Sequence, residues 1–220
     1  MSASGQLWKT HGQWQVVSSE GLLMTPNEEL VDRLLKDVGR RYREATLRSY
    51  RVGDDKHRPK RQAALDAVVK YLTSANKTIF RGVNLILYGT PGTGKDHLAI
   101  GLARSCALRG LSARSISGQE LFAAAERARR NGQDSIDPAL KTCRLLVLSD
   151  PLPNAVTPTV PEAKLLMQLL DARYRHALPT IVTANAENEK DLRDAMAGPL
   201  EDRLFGGAVI VEMKWTSFRN

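Results

Sequence analysis

Apolar positions along the chain follow two rhythms. Near the N-terminus Leu30, Val31, Leu34, Leu35 and Val38 recur at the three- and four-residue spacing of a helix face. Thr25-Pro26-Asn27-Glu28 precedes them and reads as a capping box with proline just inside the start; Gly39 reads as the stop. The spacing predicts a helix over residues 26–38, whose apolar stripe must pack on its own domain or on a partner. Residues 1–20 hold Trp8 and Trp14 without a clear period and read as a loose or partner-dependent arm. Ala63, Ala64, Leu65, Val68, Val69 and Leu72 predict a helix over residues 60–73. After it, short apolar runs at residues 83–88, 145–148, 180–183 and 208–211 read as strands, and residues 112–116 as a weak strand. Helical patterns separate them: residues 98–108, a helix opened by the capping box from Ser117 to Glu120, and one opened by Thr159 to Glu162 and running to about His176. Strands alternating with helices predict an α/β fold, a five-stranded parallel sheet with helices on both faces.

Composition narrows the class. In 220 residues, 42% hydrophobic and 25% charged, there is material for one ordinary domain and a short extension, which excludes whole-chain disorder. No apolar run approaches the ~18 residues of a membrane span. The first residues do not read as a signal peptide. Cys106 and Cys143 cannot form a disulfide framework and read as buried thiols, so a cytoplasmic protein is expected. Net charge is +8. Residues 36–61 carry ten basic against four acidic side chains, and so concentrate most of it. This basic neck suits contact with a polyanion through Arg40, Arg41 and Arg43, with Tyr42 and Tyr50 interleaved to stack on bases. The plainer alternative is a solvated connector. Arg127, Arg129 and Arg130 are the next DNA candidates, or simply a charged helix end.

The sharpest motif is Gly89-Thr90-Pro91-Gly92-Thr93-Gly94-Lys95, the G-x-x-x-x-G-K phosphate loop, following a strand and opening a helix. Its glycines let backbone N–H groups curl around phosphate oxygens, and Lys95 brings a point charge. The pattern departs at the next position. A hydroxyl residue normally follows the lysine and ligates Mg²⁺; here it is Asp96. A metal-binding Asp normally ends the third buried strand; here Ser149 stands there, before Asp150. The exchange looks reciprocal, so Asp96 and Ser149 are expected to supply one carboxylate and one hydroxyl to Mg²⁺. The alternative is that both positions have drifted because hydrolysis is weak or absent.

The stretch from Ile86 to Ala99, with His97-Leu98-Ala99 after the loop, resembles the phosphate loop of the DnaC/DnaI-type helicase loaders and of the related IstB transposition ATPases. Arg43 to Tyr50 resembles the lead-in before their ATPase core. Pro179 to Asn185 is similar to their fourth strand ending in a sensor asparagine, Leu200 to Leu204 to their arginine-finger box, and Trp215 to Arg219 to their C-terminal strand exit. The resemblance spans residues 43–219 in unbroken order. It implies an AAA+ P-loop NTPase core over residues 43–220 without a C-terminal lid domain, behind an N-terminal arm and partner-binding helix over residues 1–42. It implies ATP or ADP at Gly89 to Lys95 with Asp96, His97 and Arg219 close by, Asp150 as catalytic acid, Asn185 orienting water, and Arg203 reaching a neighbour's γ-phosphate. Asp150 is one methylene shorter than the usual Glu and is followed by Pro151, so slow ATP hydrolysis is expected. The function implied is ATP-switched assembly on DNA, single strands favoured, to deliver a replicative helicase. The competing functions are a transposition helper that binds duplex DNA and recruits a transposase, and a nucleotide-binding regulatory subunit that does not turn ATP over.

Overall fold

The structure, a computed structural model, describes residues 6–10, 13–17, 27–132, 136–153 and 156–218, the first two stretches by backbone alone. Those two are strands β1 (Gln6–Thr10) and β2 (Gln13–Val17), which pair antiparallel. Within the expected loose arm these two stretches are therefore paired strands.

Helix α1 (Glu28–Asp37) begins one residue after its cap, Asn27, whose Oδ1 accepts from the Leu30 N–H at 3.1 Å. The cap is thus Asn27 and not Thr25, which with Pro26 lies outside the described residues. The apolar stripe of α1 packs on its own domain: Val31, Leu34 and Val38 are buried in the main core. Asp37 fixes the far end, accepting from Arg114 at 2.6 and 3.1 Å and from the Ser115 N–H at 3.1 Å. A 3-10 turn at Arg40–Tyr42 then leads through the neck to α2 (Arg58–Thr73).

The sheet is built from β3 (Leu85–Gly89), β4 (Ala113–Ser117), β5 (Leu145–Ser149), β6 (Thr180–Asn185) and β7 (Val209–Glu212). Every pairing is parallel, and the order is β4-β5-β6-β3-β7. Between the strands run α3 (Lys95–Ala107), α4 (Gly118–Arg130), α5 (Pro138–Thr142), α6 (Val160–Arg175), α7 (Glu189–Ala195) and α8 (Pro199–Phe205). The expected strands and long helices are all present within a few residues. The short α5, α7 and α8 were not expected, because five to seven residues are too few to display a period.

The period of two along each strand divides the core. Leu85, Leu87, Leu145, Val147 and Ile181 face α1, α2 and α3. Ile86, Tyr88, Leu146, Leu148, Val182 and Ala184 face α4 to α8. With both faces covered, the inner strands are apolar through their middles, Leu145–Leu148 of β5 and Ile181–Val182 of β6, and polar only toward their ends. Strand ends on the α3 side therefore share a parity, and Ser149 and Thr183, continuing the series of Val147 and Ile181, are directed to that side.

The neck is not one uniform basic strip. Nine of its ten basic residues are exposed, but Arg61 is only 3% exposed. Arg61 donates to Val52 O at 3.1 Å and to Asp55 at 2.9 Å, and stacks 4.7 Å from the Phe218 ring centre. Cys106 and Cys143 are buried free thiols; burial pushes Cys106 up to about 12. Among the described residues no helix is long and apolar enough to cross a membrane.

Candidate nucleotide-binding site

The chain leaves β3 at Gly89 and enters α3 at Lys95, and the loop between needs three left-handed glycines, Gly89, Gly92 and Gly94, with φ of 141°, 79° and 91°. A side chain at these positions would also collide: a Cβ at Gly89 would lie 2.2 Å from Met213 O, and one at Gly94 2.7 Å from the Tyr50 ring. Parallel pairing sets Gly89 opposite Asn185, so the loop and the β6 end meet at the carboxyl edge of the sheet. That edge, where strand order changes direction at β3, is where open α/β sheets bind ligands.

Carbonyls of the loop are occupied from within. Gly89 O and Thr90 O accept from Lys95 Nζ at 3.0 and 2.7 Å. Gly92 O accepts from the Phe218 N–H at 2.9 Å. Thr93 O accepts from the Tyr50 hydroxyl at 3.1 Å and from Trp215 Nε1 at 3.2 Å. Gly94 O accepts from the Leu98 N–H at 3.0 Å. Turning these carbonyls into the protein directs the loop's N–H groups the other way, toward the cleft, and α3 adds its positive N-terminal end. The loop's chemistry fits an anion such as a nucleotide phosphate.

Tyr50 accordingly does not stack on bases. It is 6% exposed, held edge-on against His97 and Phe218, and burial raises its phenol well above the usual range. Neither Tyr50 nor Trp215 was assigned to the loop by sequence reasoning. Aromatic residues just before and well after a phosphate motif were the available signal.

The cleft has a volume of 650 Å³, within the usual range for small-molecule sites, and its walls include Lys95, Asp96, Ser149, Asp150, Thr183 and Asn185. Asp96 Oδ1 accepts from the hydroxyls of Ser149 and Thr183, each at 2.7 Å. Its Oδ2 accepts from the Tyr42 hydroxyl at 3.4 Å. So Tyr42 also turns inward, and Thr183, which carried no assigned role, is the third member of the Asp96–Ser149 group. Ser149 and Thr183 are register partners, which puts their side chains on one face. Asp150 adopts φ 45°, a left-handed turn that Asp tolerates better than most residues. Its Oδ2 accepts from Asn185 Nδ2 at 3.0 Å and its Oδ1 from the Asn185 N–H at 3.4 Å. Gly118 makes room for this turn, since a Cβ there would lie 2.5 Å from Pro151 Cα.

His97 lines the cleft on its neck side. Its Nε2 lies 3.1 Å from Ser49 Oγ and 3.0 Å from Thr46 O, and burial lowers its pKa below the ordinary value. Arg41 lines the cleft, whereas Arg40 and Arg43 are exposed on the neck. Arg127, Arg129 and Arg130 are exposed at the α4 end, the last two paired with Glu126. Arg203 lies outside the cleft. Its Nε donates to Asp171 at 3.2 Å, and its guanidinium stacks 4.5 Å from the Tyr174 ring. Asn84 anchors that helix to the sheet by donating to Arg203 O and Leu204 O at 2.8 and 3.0 Å. Arg219 lies outside the described residues.

A parallel five-stranded sheet with a phosphate loop at the end of an inner strand, and acid and amide side chains at the ends of β5 and β6, defines a P-loop nucleotide-binding core of the AAA+ type. Within that class the chain belongs to the family of IstB-like ATP binding proteins, whose model matches residues 2–220. The chain is 31% identical over 158 residues to an insertion-sequence ATP-binding protein of Sinorhizobium fredii, covering 70% of this chain and 52% of that protein. It is 28% identical over 141 residues to the replicative helicase loader DnaC of Escherichia coli, covering 62% of this chain and 56% of that protein. The chain spans about half the length of these curated relatives. Among solved structures, that of the DnaC helicase loader matches with a TM-score of 0.69 at 19% identity, over 80% of this chain and 100% of that one. That of DnaI matches with a TM-score of 0.62 at 19% identity, over 85% and 100%. At these identities the structures speak to the fold.

Proposed function

We propose that the protein binds ATP at the Gly89–Lys95 loop and uses it as a switch for assembly on DNA, delivering a replicative helicase. The observation that carries this reading is the position of Arg203. It lies outside its own chain's cleft, on a helix pinned to the sheet by Asn84, as suits a guanidinium that meets the nucleotide of a neighbouring copy. ATP supplies the phosphoanhydride, and the chain supplies the surroundings. Lys95 exchanges the carbonyls of Gly89 and Thr90 for phosphate oxygens, and Asn185 holds Asp150 by both carboxylate oxygens. A short acid restrained in this way is a weak activator of water, which supports slow hydrolysis. The exposed neck arginines Arg40, Arg41 and Arg43 offer the DNA contact.

The insertion-sequence relative, 31% identical over more of the chain than DnaC, favours a second reading: a transposition helper that recruits a transposase on duplex DNA. One experiment addresses both. ATP binding and turnover are measured for wild type and Lys95→Ala, with single-stranded or duplex DNA. Stimulation by single strands supports the loader and stimulation by duplex supports the helper. Nucleotide affinity unchanged in Lys95→Ala would sink both.

A further inference from the structure

We infer that Asp96, Ser149 and Thr183 form a divalent-cation site of exchanged polarity, the carboxylate coming from the phosphate-loop helix and the hydroxyls from the strand ends. The inference rests on the ATP-binding reading above and adds what that site requires. Three oxygens already meet there: Asp96 Oδ1 lies 2.7 Å from both hydroxyls, which are 3.2 Å from each other. The grouping is built in, because strand parity and the Ser149–Thr183 register aim both hydroxyls at the first turn of α3. A small hard cation such as Mg²⁺ takes oxygen ligands, one or two carboxylates together with phosphates and water. One carboxylate and two hydroxyls meet that demand, since a hydroxyl can rotate its proton away and present a lone pair.

The electrostatics give the proposal a sign. Asp96 directly follows the phosphate-gripping lysine, and among the described residues its carboxylate is held by hydroxyls and enters no ion pair within 4.0 Å. An anion there opposes a bound triphosphate unless a cation lies between them. A site with a hydroxyl after the lysine carries its carboxylate at the strand end instead, whereas here the charge stands next to the phosphate-gripping lysine itself. Here the metal becomes a condition for tight nucleotide binding rather than only an aid to chemistry.

The test is calorimetric titration of the full chain with ATP, in EDTA and in excess Mg²⁺. It compares wild type, Asp96→Asn, Asp96→Thr and Asp96→Thr/Ser149→Asp, with Mn²⁺ titration followed by electron paramagnetic resonance as a second readout. Wild-type affinity is expected to rise at least about tenfold with Mg²⁺, which is about 1.4 kcal/mol. Asp96→Asn should bind ATP more tightly than wild type in EDTA and less tightly in Mg²⁺, so the two curves cross. Asp96→Thr should lose most of the Mg²⁺ gain and the ATP-dependent Mn²⁺ binding, and the double exchange should regain both. Equal wild-type affinity in EDTA and Mg²⁺, absence of the crossing, or a double variant no better than Asp96→Thr overturns the metal site while leaving ATP binding in place. No ATP binding under either condition overturns the nucleotide reading itself.

Discussion

Replacing Arg173 by Met tests whether one buried guanidinium holds the strand that brings Thr183 and Asn185 to the cleft. Arg173 is 1% exposed, sits near the end of α6 and, among the described residues, meets no carboxylate. Its donors go to Leu140 O at 2.8 Å, Cys143 O at 3.1 Å, Pro179 O at 2.6 Å and Thr180 Oγ1 at 3.0 Å. It therefore closes the carboxyl end of α5 and fixes the start of β6 together. Burial lowers its pKa below the usual arginine range, which marks the cost of keeping the charge inside. Met fills similar space and removes that cost, but the carbonyls of Leu140 and Cys143 lose their charged donor. Pro179 O retains only a 3.4 Å contact from the Leu146 N–H. Two buried acceptors at about 1–3 kcal/mol each give about 2–6 kcal/mol, and relief of desolvation brings the expected net loss to about 2–4 kcal/mol. That is a large share of the ~5–15 kcal/mol typical of a whole domain. Urea unfolding followed by circular dichroism measures it, with Arg173→Lys expected between wild type and Met because an ammonium reaches fewer of these acceptors. A loss below about 1 kcal/mol for Arg173→Met would refute the reasoning, showing that charge burial costs as much as the hydrogen bonds return.

Arg203→Ala should leave ATP affinity near wild type and change stability by no more than about 1 kcal/mol, since it loses a partly exposed pair with Asp171 and a surface stack on Tyr174. Nucleotide-dependent assembly, followed by sedimentation velocity, should fall; unchanged assembly would remove Arg203 from the interface. Neutralising Arg40, Arg41 and Arg43 should weaken DNA binding and flatten the plot of log affinity against log salt. The slope should fall by about 0.9 per lost phosphate contact on duplex or about 0.7 on single strands, and an unchanged slope means the neck is only a connector. His97 resists protonation in the folded chain because it is partly buried against Thr46 and Ser49. Between its ordinary pKa of about 6.5 and its lower folded value the unfolded chain binds more protons, so its contribution to stability is present above about pH 6.5 and is lost on acidification below it. Midpoints of urea unfolding measured from pH 7.5 to pH 5, values of about the histidine range, should fall less steeply in His97→Gln; parallel profiles would contradict this.

Much of the fold was readable because it is written in local pattern. Apolar runs bounded by turn residues marked four of the five strands, with Ala113–Ser117 only weakly patterned, and Ser117 with Glu120 announced α4 through a reciprocal cap that the fold contains. The phosphate loop was readable for the same reason: its glycines and lysine are consecutive, and the strand before and helix after are local too. Other features needed long-range information. Arg61 and Arg173 look like surface charge in any window of sequence, and only packing shows that Phe218 and the carbonyls of α5 enclose them. Tyr50 reads as an exposed aromatic in a basic stretch until the neck folds over α3 and its hydroxyl reaches Thr93.

Local sequence pattern was enough for the class of fold, the phosphate-loop motif and the exchange of carboxylate and hydroxyl at Asp96 and Ser149. The tertiary structure decided which groups complete that site. Thr183 joins it because β5 and β6 pair in a register that no local pattern encodes, and Tyr42 joins it because the neck crosses the start of α3. Spacing along the chain fixes the local geometry of a strand, a turn or a helix start. Contacts between residues 54 and 87 positions apart, such as Tyr42 and Thr183 with Asp96, depend instead on the sum of packing over both faces of the sheet.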